Sequence, residues 1–271
     1  MNQEVVLGLV VLTTALFLLR TQHSFFSADE FDTYLINLDK RKERLDNFTE
    51  QYETSDLGGH KPFKRVEAVD GSTIELMGVV APEIEDGIKR IEKTGLRTAH
   101  PQMTRGMIGC YKSHYKVWDE IYASGKPYGL VFEDDAEMDP ALYEKTAETL
   151  DFPDNWDVIL LGYVSLMDYE KGPGPGLLHV RDFWGLHGYL ISRRGVAKMM
   201  LYRDMPISLQ IDIFMSKLAS DEKLSVYAID PPLVHQGNFG TDLQMRITPK
   251  VLVNTGGSGA KNVRIEPTPL E

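Results

Sequence analysis

Two rhythms of apolar residues alternate along the chain. Short runs rich in β-branched and aromatic residues predict strands at "FDTYLINL" (31–38), "FKRVEAVDG" (63–71, ending in a turn at Asp70-Gly71), "PYGLVFEDD" (127–135), "WDVILLGY" (156–163), "DFWGLHGYLIS" (182–192) and "LSVYAID" (224–230). Between them, apolar residues three and four apart predict helices. These are "KRKERLDNFTEQYE" (40–53), with Leu45 and Phe48 on one face, "PALYEKTAETL" (140–150), with proline in its first turn, "RRGVAKMMLYR" (193–203) and "ISLQIDIFMSKLAS" (207–220). The clearest is "GMIGCYKSHYKVWDEIYASG" (106–125), where Met107, Tyr111, His114, Trp118 and Ile121 form a stripe that Gly125 ends. Residues 72–103 read as a long, partly helical and mobile excursion, and "DYEKGPGPG" (168–176) as a loop. Strands alternating with helices predict an α/β fold: one domain over 31–247 with a mostly parallel sheet flanked by helices. In such sheets ligands sit outside the carboxyl ends of the strands.

The two ends depart from this rhythm. Val5 to Leu19 is apolar apart from Gly8, Thr13 and Thr14. As a helix it would reach about 22 Å, short of a ~30 Å hydrocarbon core. Residues 1–20 are therefore expected to be a short signal-anchor or the apolar part of a signal peptide, with 21–30 as a stem. No Lys or Arg precedes the run and "FFSADE" lacks the small residues of a cleavage site, which favours a retained single-pass anchor. The expected location is the membrane, with a lumenal endoplasmic reticulum or Golgi domain in a eukaryote and inner-membrane association otherwise. Asn47-Phe48-Thr49 matches a glycosylation acceptor and adds slight support for a lumenal domain. Residues 248–271 are polar and rich in glycine and are expected to be disordered.

Composition narrows the function classes. The net charge of −11 argues against a nucleic-acid partner, because phosphate repulsion would go unopposed. The single cysteine, Cys110, excludes an intramolecular disulfide and a cysteine-based zinc site, and reads as a packing residue.

The densest chemistry lies in "YGLVFEDDAEMDP", where a buried-type strand stops at Glu133, Asp134 and Asp135. Adjacent carboxylates at a partly buried strand end need protons or a cation to offset their repulsion. Mg²⁺ and Mn²⁺ take oxygen ligands and often use one or two carboxylates plus phosphate oxygens. On an extended chain Glu133 and Asp135 share one side, so they form the expected metal-facing pair, and Asp134 points back to a neighbouring loop. The plain alternative is a solvated turn before the helix at Pro140.

Several segments, in order, resemble glycosyltransferase family 25, the group of bacterial lipopolysaccharide galactosyltransferases and procollagen galactosyltransferases. They are "YLINLDKRKERL", "VEAVDG", "GMIGCYKSHYKVWDEI", "YGLVFEDDAE", "HGYLISRRGVAKMM", "PISLQID" and "PPLVHQ", spanning about residues 32–240. The resemblance implies a GT-A-type, Rossmann-like fold, a UDP-galactose or UDP-glucose donor, Mn²⁺ (or Mg²⁺), and transfer with inversion to a glycan or protein hydroxyl. It places the nucleotide base at Asn37, Leu38 and Asp39, and a third metal ligand at His235 with Gln236 beside it. His235 also reads as a plain loop histidine. Glu133 is expected to reach the ribose as well as the metal. Arg44 is a candidate for phosphate or base contact, or a solvated residue of a charged run. Asp70 and Gly71 shape the nucleotide pocket or form a simple turn. His114 is a site residue by its match to the family's serine-histidine pair, or a core histidine by its stripe. Asp212 is the candidate general base, or else a helix-start acid. His187 and Tyr189 are expected to line the sugar or acceptor site, with Trp184 stacking on the acceptor or packing as core. The insert at 72–103 matches no family motif and leaves acceptor choice open. Two other readings stand beside transfer: a hydrolase using the paired carboxylates, and a non-catalytic nucleotide-sugar-binding partner subunit.

Overall fold

The computed structural model describes residues 26–239, apart from 96, 98–101 and 151. Strands β1 (Phe31–Asn37), β2 (Phe63–Glu67), β3 (Tyr128–Glu133), β5 (Val158–Gly162), β6 (Ser165–Lys171), β7 (Leu177–Trp184), β8 (Gly188–Ser192) and β9 (Val226–Ile229) form one sheet. Its 8 strands run in the order β2-β1-β3-β8-β5-β9-β7-β6. The pairings point all strands but β7 and β8 the same way. The expected α/β sheet is therefore present, mostly parallel in strand direction. It has two reversed strands, one of them wedged between β3 and β5.

Helices cover both faces. They are α1 (Lys42–Thr54), α2 (Pro82–Thr94), α3 (Arg105–Ser124), α4 (Leu142–Thr149), α5 (Arg193–Leu201) and α6 (Ile211–Ser220). Alternation along β3 shows why its sequence is unbroken apolar: Val131 joins one core with Ile108, Trp118 and Tyr189, while Leu130 and Phe132 join the other with Phe48 and Leu142. The stem reaches the second core, where the Phe26 ring stacks on Phe31 at 4.9 Å.

Three readings of the chain are corrected here, and the partly helical insert is made definite. The stretch read as a loop at 168–176 begins inside an edge strand, Ser165–Lys171; its polar sequence follows from a strand whose side chains are mostly exposed. "DFWGLHGYLIS" is two strands, broken at Gly185, whose φ of 94° few other residues tolerate. The insert at 72–103 holds a regular helix, α2, with proline at its start and Gly95 in the left-handed region after its end. The helix of "ISLQIDIF" begins only at Ile211.

The expected membrane location is also corrected. No helix among the described residues is long and apolar enough to cross a membrane. The apolar run at 5–19 and the polar tail at 248–271 lie outside the described residues.

Two three-residue strands missed in the sequence, β4 (Ala136–Met138) and β10 (Val234–Gln236), pair antiparallel and bring the chain after Leu233 beside the acidic triplet. Helix α3 closes the other side. It starts at the cap Thr104, whose hydroxyl accepts from Met107 N, and it packs backbone to backbone against the loop after β2. A Cβ on Gly109 would meet Val69 O at 2.5 Å and Gly71 N at 2.8 Å. Gly109→Ala is therefore expected to cost about 1–3 kcal/mol by overpacking. Urea unfolding measures it, and an unchanged midpoint would mean that α3 is free to move away from this loop.

Candidate active site

At the carboxyl ends of β1 and β3 lies a cavity of about 690 Å³, within the usual range for ligand sites. Glu133, Asp134 and Asp135 all line it, at the strand end where this architecture places its ligands. Ile36, Leu38, Val69, Ile88 and Ile91 make an apolar wall, and Asp70, Gly71 and Ser72 form part of the rim. Two of those apolar residues come from the insert, through α2.

The three carboxylates are held differently. β3 ends at Glu133, so Asp134 and Asp135 lie in a turn rather than on the alternating strand expected from the sequence. Asp134 Oδ2 accepts from Asn37 Nδ2 at 2.8 Å and its Oδ1 from Arg44 Nη1 at 2.9 Å, in a buried ion pair. Glu133 Oε1 lies 3.0 Å from His114 Nε2 and 3.8 Å from Cys110 Sγ. Burial is the largest single influence on the Glu133 carboxyl and works to raise it, yet His114, His187 and Cys110 together hold the group below its ordinary value. Asp135 Oδ2 accepts from Gln236 Nε2 at 3.0 Å, while its Oδ1 is buried with no hydrogen-bond partner among the described residues. Burial, reinforced by the charges of Glu133 and Asp134, pushes Asp135 up to about 7.

The positive groups on the cavity wall are already committed. Lys40 pairs with Asp70 at 2.9 Å, Arg44 with Asp134, and Arg105 with Glu92 at 2.5 Å. Lys40 and Ser72 hold the Asp70 carboxyl down at about 2. An anionic ligand here thus meets three acids and cations that are already paired. A hard divalent cation fits the donor set: an orphaned buried oxygen on Asp135, a second carboxylate on Glu133 and an amide on Gln236.

Not every expected residue reaches this cavity. Leu38, Arg44, Asp70, Glu133, Asp134, Asp135 and Gln236 line it; Asn37, Asp39, His114, Trp184, His187, Tyr189, Asp212 and His235 do not. Asn37 acts from behind, bonding Asp134 and accepting from Arg65 Nε at 2.9 Å. Asp39 is exposed and pairs with Arg65. His235 sits in β10 opposite Glu137; it and Gln236 are both exposed, but of the two only Gln236 lines the cavity and reaches Asp135. His114 and Tyr189 are fully buried, so neither can touch a substrate directly. His187 is buried with Nε2 at 3.3 Å from Val234 O and Nδ1 unpartnered among the described residues. Trp184 is 41% exposed at the end of β7.

Asp212 caps the turn after β7. Its oxygens accept from Gly185 N at 3.1 Å and from Ile213 N at 2.8 Å, and burial raises its pKa. It stands near the cavity without lining it. The Cys110 thiol, which does line the cavity, is pushed up by burial and by the fields of Glu133, Asp212 and Asp135.

Sequence reasoning missed Lys40, Thr104, Arg105, Gly106, Ser113 and Asn238 at this site. Ser113 had a signal in its pairing with His114. It accepts from Val69 N at 2.8 Å and so ties the Asp70 loop to α3.

Residues 31–173 match the model of "Glycosyltransferase family 25 (LPS biosynthesis protein)". The chain belongs to this family. The matched span holds the strand end that carries the acidic triplet and most of the cavity wall.

Family 25 relatives include procollagen galactosyltransferase 1-A of Xenopus laevis, 30% identical over 207 residues, covering 73% of this chain and 32% of that protein. A bovine relative, "Probable inactive glycosyltransferase 25 family member 3", is 27% identical and covers 68% of this chain and 31% of its own length. The chain thus spans about a third of the length of these relatives. Among solved structures, A197 from STIV aligns over 76% of this chain and 83% of that one at 12% identity with a TM-score of 0.42, too weak a likeness to argue from.

Proposed function

We propose that this family 25 chain is a divalent-metal-dependent glycosyltransferase that moves a hexose from a UDP-sugar to a hydroxyl of a glycan or protein acceptor with inversion. The carrying observation is the acidic triplet lining the cavity, with an orphaned buried oxygen on Asp135 and every cation on the wall that has just been named already paired. Galactose is the favoured sugar, since the Xenopus relative is named for its transfer.

Asp135 and Glu133 are the residues to hold Mn²⁺ or Mg²⁺, with Gln236 beside them. The ion would supply charge neutralisation as the nucleoside diphosphate leaves. The wall of Ile36, Leu38, Val69 and Ile88 suits the flat face of a base, and the Asp70 loop closes beside it. Asp134 and Arg44 neutralise each other and set the turn that aims the two outer acids. Asp212, whose raised pKa supports the role, is the proposed base that takes the acceptor's proton as the hydroxyl approaches the face opposite the leaving group. Attack from that face inverts the anomeric centre. The exposed Trp184, next to the Gly185 turn that Asp212 caps, offers a stacking surface to the acceptor.

UDP release from UDP-galactose tests this reading. Release is expected with Mn²⁺, to vanish with chelator and to return on adding Mn²⁺; chelator-insensitive release would overturn the metal assignment. Asp212→Asn is expected to lose transfer by about 10²–10⁴-fold while donor binding persists; full transfer in that variant would move the base elsewhere. A second reading, donor binding without turnover, draws on the bovine relative's printed name. It predicts metal-dependent donor binding and no UDP release with any acceptor.

A further inference from the structure

A line of buried side chains runs behind the cavity to Glu133. Trp118 Nε1 lies 2.9 Å from the Tyr189 hydroxyl, that hydroxyl 2.8 Å from His114 Nδ1, and His114 Nε2 3.0 Å from Glu133 Oε1. Trp118, Tyr189 and His114 are each fully buried.

Counting protons gives this line a direction. An indole N–H only donates, so Trp118 occupies a lone pair of the Tyr189 oxygen. Tyr189 has one proton to give, and His114 Nδ1 is in reach to accept it. His114 then carries its own proton on Nε2 and donates it to the Glu133 carboxylate, a charge-assisted bond. The opposite tautomer would aim two donors at Tyr189 and leave its buried O–H without an acceptor among the described residues, a costly arrangement.

The same site admits a rival. Cys110, one helical turn before His114 on α3, completes a group with His114 and Glu133 whose candidate ligand atoms all lie within 4.8 Å of one another. A metal on His114 would need a lone pair at Nε2, which belongs to the disfavoured tautomer.

We propose that Trp118, Tyr189 and His114 form a directional hydrogen-bond relay that fixes the His114 tautomer and pins Oε1 of Glu133, so that Oε2 is presented to the cavity. His114 is thereby a positioning residue. The consequence for catalysis rests on the transferase reading above; the tautomer does not.

¹⁵N NMR of the full chain with labelled histidine tests it, the His114 signals being assigned by their loss in His114→Gln. The expected spectrum shows Nδ1 unprotonated and Nε2 protonated, a protonation pattern that Zn²⁺ does not change, and Tyr189→Phe disturbs it. A protonated Nδ1, or loss of the Nε2 proton on adding one equivalent of Zn²⁺, overturns the relay in favour of the metal group. In turnover, His114→Ala is expected to lose about 10- to 100-fold, and His114→Gln, whose amide N–H can also reach Glu133, to recover most of that loss. Equal losses in the two variants would contradict the donor role. Should the wild-type chain show no turnover at all, the transferase reading fails while the spectrum still decides the relay.

Discussion

Asp135→Asn is expected to abolish metal-dependent turnover of the UDP-sugar and to leave the protein at least as stable as before. The loss should reach about a thousandfold or more, on the order of 4 kcal/mol in transition-state terms. The two effects have one cause. Asp135 is buried beside Glu133 and Asp134, and its Oδ1 has no protein partner among the described residues. Without a cation this charge is a burden, and burial with like-charge neighbours drives it toward protonation. Asparagine keeps the shape and can still bond Gln236, while removing the charge. A gain on the order of 1 kcal/mol in unfolding free energy is expected without metal. Activity assays and denaturant titrations on the same preparation read both. Full turnover would place the cation elsewhere, and a large fall in stability would mean that Asp135 is a structural residue.

Arg44→Ala should do the reverse and strike stability first. Arg44 is buried on α1 and pairs with Asp134, which is also buried. Truncation leaves that carboxylate with Asn37 alone, and removing one partner of a buried pair typically costs about 3–5 kcal/mol. For a domain of this size the fall in Tm is on the order of 10 °C. Turnover falls too, because the turn that aims Glu133 and Asp135 loosens. Calorimetry on the full chain measures the change; a shift under about 2 °C would show the pair to be dispensable. The double change Arg44→Met with Asp134→Leu, which leaves no buried charge, should recover much of the stability and none of the activity.

Much of this site was legible in the sequence, and what was not has identifiable causes. The strand before Glu133 is apolar on both faces because both faces are covered, and that, with the acids after it, located the cavity. Alternation did not decide where Asp134 points, because the strand ends at Glu133 and Asp134 lies in the turn after it. Nor could it show that Arg44 would be the group waiting there, because a contact between residues 90 apart leaves no local trace. The family resemblance pointed to His235 as the metal ligand, with Gln236 only beside it. The choice between them depended on the β4–β10 pairing, two strands too short to carry a periodic signal. The edge strand at 165–171 read in part as a loop because both its faces meet water and its polar residues mask the β pattern. The wall from α2 was readable in part: Ile84, Ile88 and Ile91 are spaced for a helix and Pro82 and Gly95 mark its ends, although no family motif covers them.

The central claim is that a divalent ion at Asp135 and Glu133 and a nucleotide sugar occupy one cavity together. Thermal unfolding of the full chain with UDP-galactose, with Mn²⁺, with both and with neither measures that directly. At a donor concentration about 100-fold above Kd, binding stabilises by about 2.7 kcal/mol. The account predicts a rise of several degrees when both are present, far above the sum of the separate effects and absent in Asp135→Asn. Equal melting temperatures in all four conditions, or a donor effect of the same size without metal, would contradict it.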